Sequence, residues 1–92
     1  MEKLSGAEIK ALKSRAHHLK PVVMVGQKGI TDTLIKAMVE TLEAHELIKV
    51  KFIDFKEEKK DLATVLSEKT ESSLIGMIGN VAIFYRKKKE EE

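Results

Sequence analysis

Cysteine and tryptophan are absent from this chain, proline occurs once, and the aromatic residues are three phenylalanines and one tyrosine. The first absence excludes disulfides and thiolate metal sites and fits a reducing compartment. So few rings exclude base stacking as a main binding device. No apolar run approaches the ~20 residues that a membrane-spanning helix requires. Met1-Glu2-Lys3-Leu4 also lacks the basic-then-apolar layout of a secretion signal, so a cytoplasmic protein with no membrane partner is expected. Neither the G-x-x-x-x-G-K phosphate loop nor G-x-G-x-x-G occurs, which argues against ATP or NAD as ligand.

What is present describes one globular domain. The chain has 92 residues, 42% of them hydrophobic and 35% charged, which suits a single core beneath a densely charged surface. A domain over residues 1–86 is expected, with a short charged tail over 87–92. Net charge is only +2, but it is unevenly spread. Residues 1–36 hold seven Lys and Arg against three acids, whereas residues 37–86 hold seven against nine. A polyanion is therefore drawn to the N-terminal third.

Ser5, with Glu8 three residues on, forms a capping-box pattern and opens a first helix. Ile9, Leu12, Ala16 and Leu19 give it a buried stripe, and Lys10, Lys13, His17 and Lys20 repeat the spacing on a neighbouring face as a basic ridge. Pro21 ends the helix, because it lacks an N–H and disfavours helical geometry at Lys20. The apolar run 22–25 predicts a strand buried on both faces. Gly26-Gln27-Lys28-Gly29 then forms a loop, and Thr31 caps a second helix over about 32–44, with Leu34, Ile35, Met38, Val39 and Leu42 inward. Leu47 to Ile53 alternates as a strand, with Ile48, Val50 and Phe52 on one face and Lys49 and Lys51 on a solvated one. A third helix follows Asp54 to Glu58, with Leu62, Val65 and Leu66 inward. Two strands around Gly79-Asn80 complete a hairpin.

The glycine loop has two physical readings. Glycine at both ends permits positive φ, as any tight strand-to-helix turn can require. Equally, free N–H groups at a helix start beside a lysine make a place for a phosphate. A second glycine pair, Gly76 and Gly79, lies in a strand and its turn and reads as structural. No catalytic constellation is evident: nothing plays nucleophile beside a base, and the carboxylate pairs Glu43/Glu46 and Glu57/Glu58 fall at surfaces. His17 and His18 are adjacent and cannot face the same way on a helix, so neither a metal nor another cofactor is expected.

Three stretches taken together resemble a known family: residues 17–31 around the glycine loop, His45-Glu46-Leu47-Ile48-Lys49-Val50-Lys51, and Ile78-Gly79-Asn80-Val81-Ala82-Ile83-Phe84-Tyr85-Arg86. They look like the CRM domain (chloroplast RNA splicing and ribosome maturation) in its stand-alone, YhbY-like form. The resemblance implies an α+β two-layer sandwich of order α-β-α-β-α-β-β, with a mixed four-stranded sheet and helices on one face. That fold is similar to the C-terminal domain of translation initiation factor three. It also implies a non-enzymatic RNA-binding protein of large-subunit (pre-50S) ribosome precursors. In that family the loop is likened to the GxxG loop of KH domains, which clamps nucleic-acid backbone. Carried onto this chain, the resemblance places Gly26, Lys28 and Gly29 in the loop, Lys20 before the first strand and Arg86 at the end of the last.

The expected RNA-binding set is Lys10, Lys13, His17, Lys20, Gly26, Gln27, Lys28, Gly29, Thr31 and Arg86. They are read as a positive track that runs along the first helix into the loop of a monomer, with RNA as partner and no small-molecule substrate. The alternative is a protein-interaction module that docks a ribosomal protein or assembly GTPase through the sheet face of Lys49 and Lys51.

Overall fold

The computed structural model describes residues 4–88, so Lys89 and the glutamates that follow it lie outside the described residues. The elements run α1 (Gly6–Ala16), β1 (Val23–Val25), α2 (Asp32–His45), β2 (Leu47–Phe52), α3 (Lys59–Thr70), β3 (Ser73–Ile78) and β4 (Val81–Tyr85). This is an α+β fold whose four strands lie in the order β1-β2-β4-β3. β1 pairs parallel with β2, while β4 pairs antiparallel with both β2 and β3, which makes the sheet mixed.

Local chemistry sets the element ends. Ser5 Oγ accepts from Glu8 N, and Glu8 Oε1 accepts from Ser5 N, so the capping box closes α1 at its start. Thr31 Oγ1 accepts from Leu34 N and starts α2. Gly79 turns the β3–β4 hairpin at φ 58°, a value that glycine adopts at little cost.

The helices do not share one face of the sheet. Side chains alternate along a strand, and Ile48, Val50 and Phe52 of β2, with Ala82 and Phe84 of β4, bury against Met38 and Leu42 of α2 and Ala63 and Leu66 of α3. The intervening Leu47 and Ile83, with Ile75 of β3, bury against Leu12 and Ala16 of α1. The expectation of helices on one face is thus corrected, because α1 covers part of the face expected to be wet. The end of the Lys13 side chain rests on β3 at Gly76, where a Cβ would lie 2.8 Å from its Cε.

α1 is also shorter than its apolar spacing suggests. It ends at Ala16, with His17 as C-cap, and Leu19 is exposed rather than part of the buried stripe. Pro21 already disfavours helical geometry at Lys20, and the chain leaves early to reach the sheet, where Val22 N donates to Lys49 O and Lys49 Nζ donates to Leu19 O. β1 is buried on one face only: Val23 and Val25 are inside, while Val22 and Met24 are 54% and 52% exposed. As an edge strand beyond the reach of α1, it has nothing to cover its second face. In α3 the buried positions are Ala63, Leu66 and Thr70, with Leu62 and Val65 half-buried.

Candidate nucleic-acid interface

Between β1 and α2 the chain makes one tight turn, in which Gly29 N donates to Gly26 O at 3.0 Å. Gln27 and Lys28 occupy its two corners and are exposed. Neither has positive φ, which is the type I pattern. The two glycines differ in what they do. Gly29 sits at φ 66°, and a Cβ on it would lie 3.4 Å from the ring of Phe55. Gly26 has no positive φ, and a Cβ there would meet nothing within 4 Å. Backbone geometry therefore explains Gly29, whereas Gly26 leaves open space beside the loop. Just after the turn, the first amides of α2 have no partners within the helix. Leu34 N is taken by the Thr31 hydroxyl, so Thr31 serves as the cap.

The basic residues do not form the ridge that helical spacing suggests. Lys13 lies over Gly76 of β3, and β3 and β1 are opposite edges of the sheet, about 14 Å apart at the usual strand spacing. Lys10, one turn before Lys13 on α1, belongs to that same side of the helix. His17, the C-cap, keeps helical backbone one turn after Lys13, but Lys20 falls beyond the end of α1, so the helical repeat no longer aligns it with Lys10 and Lys13. Arg86 is placed elsewhere too. Its N–H donates to Glu46 O at the start of β2, and its guanidinium lies 4.0 Å from the Glu71 carboxylate. The loop follows the stretch of β1 that pairs with Phe52, so Arg86 is at the opposite end of the sheet.

What the fold does bring together lies along β1. Arg15, Lys20 and His45 surround a pocket of about 290 Å³ that includes Leu19 and Val22. A larger open groove of about 620 Å³ continues from Val22 past the edge of β1 to the glycine loop, with α2 as its other wall. Lys51 is the register partner of Met24, on the same sheet face. Cations thus lie at the start of β1, beside its middle and at its end, where Lys28 tops the loop.

The family model of the CRS1 / YhbY (CRM) domain matches residues 4–86. The chain belongs to the CRM domain family. "Probable RNA-binding protein YqeI" of Bacillus subtilis is 41% identical over 90 residues, covering 97% of this chain and 94% of the relative. A Haemophilus influenzae protein named "RNA-binding protein" is 36% identical over 91 residues, covering 98% and 92%. Among solved structures, that of the hypothetical protein SAV1595 from Staphylococcus aureus superposes with a TM-score of 0.82 at 40% identity, covering 98% of this chain and 95% of that one. These CRM relatives are named for RNA binding and none for a catalysed reaction.

Two residues of this CRM domain escape the sequence reading. Arg15 joins Lys20 at the pocket, yet a count of helical positions assigns it to no ridge, since the helix ends one residue later. Phe55 supports the loop from below: it is held at φ 55°, its N–H donates to Asp54 Oδ1 at 2.8 Å, and its ring packs against Gly29. No motif in the sequence marks that contact, which joins positions 26 residues apart. Lys49, expected on a wet face, is half-buried and bonded to Leu19 O, so Lys51 is the exposed lysine of β2.

Proposed function

We propose that this protein binds ribosomal RNA in large-subunit (pre-50S) precursors in the cytoplasm and assists their assembly as a monomer, without catalysing a reaction. The Gly26-Gln27-Lys28-Gly29 turn holds the phosphate backbone, and Lys20 and Arg15 extend the contact along β1. The observation that carries the reading is the turn itself. It presents an exposed lysine and the Asp32 and Thr33 amides, which the Thr31 cap leaves free, beside a glycine, Gly26, that the fold does not require. The RNA-binding names of the CRM relatives support the same partner. With four aromatics, recognition runs through backbone and shape rather than ring stacking. The test is the affinity of Lys20→Glu/Lys28→Glu for structured rRNA fragments at low salt. A loss of tenfold or more, about 1.4 kcal/mol, is expected, and unchanged affinity would remove the loop as the site.

A second reading rests on the sheet face beyond α1. Val22, Met24, Ile53 and Ile78 are 52–63% exposed there, an apolar patch beside Lys51 that fits a protein surface as well as a wet sheet. A partner of that kind, such as a ribosomal protein or assembly GTPase, would remain bound after nuclease treatment, and an RNA-mediated one would be lost.

A further inference from the structure

The groove between the edge of β1 and α2 is larger than a phosphate contact requires. It is about 620 Å³, opens at one end onto the glycine loop, and shares Val22 at the other end with the pocket of Arg15 and Lys20. Its α2 wall is formed by Thr33, Leu34, Ala37 and Thr41, a mixture of methyl groups and hydroxyls. Across from them is an edge strand whose outer side pairs with no other strand of the sheet. A strand edge of this kind offers main-chain donors and acceptors.

These features select among forms of RNA. In a duplex the base faces are stacked and the A-form major groove admits no side chains, so a duplex can give this groove phosphate, ribose and the edges of its shallow minor groove but no base face. An unpaired strand can turn its bases outward. Its phosphates would then follow the cations at the two ends while the base faces cover Leu34 and Ala37 and the base edges meet the strand edge and the threonine hydroxyls. The span from Val22 to Gly26 is about 13 Å at the rise of a strand, room for a short stretch of chain only. From this arrangement we infer that the groove is a binding site for single-stranded RNA, entered from the glycine loop. The inference rests on the RNA-binding reading above and assigns that RNA its unpaired form. Lys28 and Lys20 hold the backbone at the two ends, and the groove takes the bases.

Ala37 is exposed and lies in the middle of α2, where glutamine is a good helix former, so Ala37→Gln fills the groove without changing charge or opening the core. The probe is fluorescent oligouridylate of about six nucleotides, within the site sizes of about 4 to 16 known for single-strand grooves, compared with a blunt RNA duplex of the same charge. The wild-type protein is expected to prefer the oligonucleotide by about tenfold, and Ala37→Gln to abolish the preference while duplex binding stays as it was. Equal affinity for both probes, or an oligonucleotide affinity unchanged in Ala37→Gln, would overturn the groove as a base site. If Lys28→Glu still weakened binding in that case, the loop contact would stand without the groove. If neither probe nor structured rRNA bound the wild type, the RNA-binding reading itself would fall.

Discussion

Gly26 and Gly29 carry the same residue type for different reasons, and substitution separates them. At Gly29 any side chain must adopt φ 66° and come 3.4 Å from Phe55, so Gly29→Ala should lower stability by about 1 to 2 kcal/mol. For a domain of this size that is a fall in Tm of roughly 4 to 16 °C by thermal melting. Gly26→Ala meets open space and ordinary φ, and its Tm should stay within about 4 °C of the wild type, since a surface change away from strain costs under about 0.5 kcal/mol. A large loss at Gly26 would show that the fold needs this glycine after all. Residue chemistry was legible in the sequence wherever it was local. The Ser5/Glu8 box, the Thr31 cap and the Gly79 turn each depend on neighbours within a few positions. The different roles of Gly26 and Gly29 were not, because Phe55 decides them from 26 residues away.

At the scale of elements, the decisive fact is that α1 crosses β2, β4 and β3 with Lys13 over β3, whereas the loop follows β1 at the opposite edge of the sheet. The spacing of Lys10, Lys13, His17 and Lys20 is real, but it describes a helix that ends at Ala16 and whose Lys13 covers β3. Arg15, by contrast, shares a pocket with Lys20. Arg15→Glu should therefore weaken RNA binding several-fold more than Lys13→Glu, as measured by filter binding or anisotropy at one salt concentration; the opposite ranking would restore the helical ridge. The alternation of β2 showed which of its side chains enter the main core, since Ile48, Val50 and Phe52 all bury there. It could not show that α1 crosses to the other face. That depends on Leu47 and Ile83, which stand beside residues that bury on the opposite face, Ile48, Ala82 and Phe84, so nothing in the local pattern sets them apart. The early end of α1 was hidden for a similar reason, because the Lys49 bond to Leu19 O is a tertiary contact.

Over the whole molecule a net charge of +2 gives little general attraction for a polyanion, so affinity has to come from where the cations stand. They stand along β1, from Arg15 and Lys20 to Lys28, with the acid-rich segment 37–86 adding Lys49 and Lys51 from the neighbouring strand. For a single strand the slope of log affinity against log salt is about −0.7 per phosphate contact, so Lys28→Gln should make it shallower by about 0.7. An unchanged slope would mean that Lys28 touches no phosphate. The central claim, that RNA lies along the β1 edge and glycine loop, is tested most directly by mapping backbone amide shifts as an rRNA fragment is titrated into labelled protein. The account predicts perturbations in residues 15–34 and at Ala37, Thr41 and Lys51, with α3 and β3 unmoved. Shifts centred instead on Ile53, Ile78 and Val81, or on the Lys10 and Lys13 side of α1, with the loop amides unchanged, would contradict it.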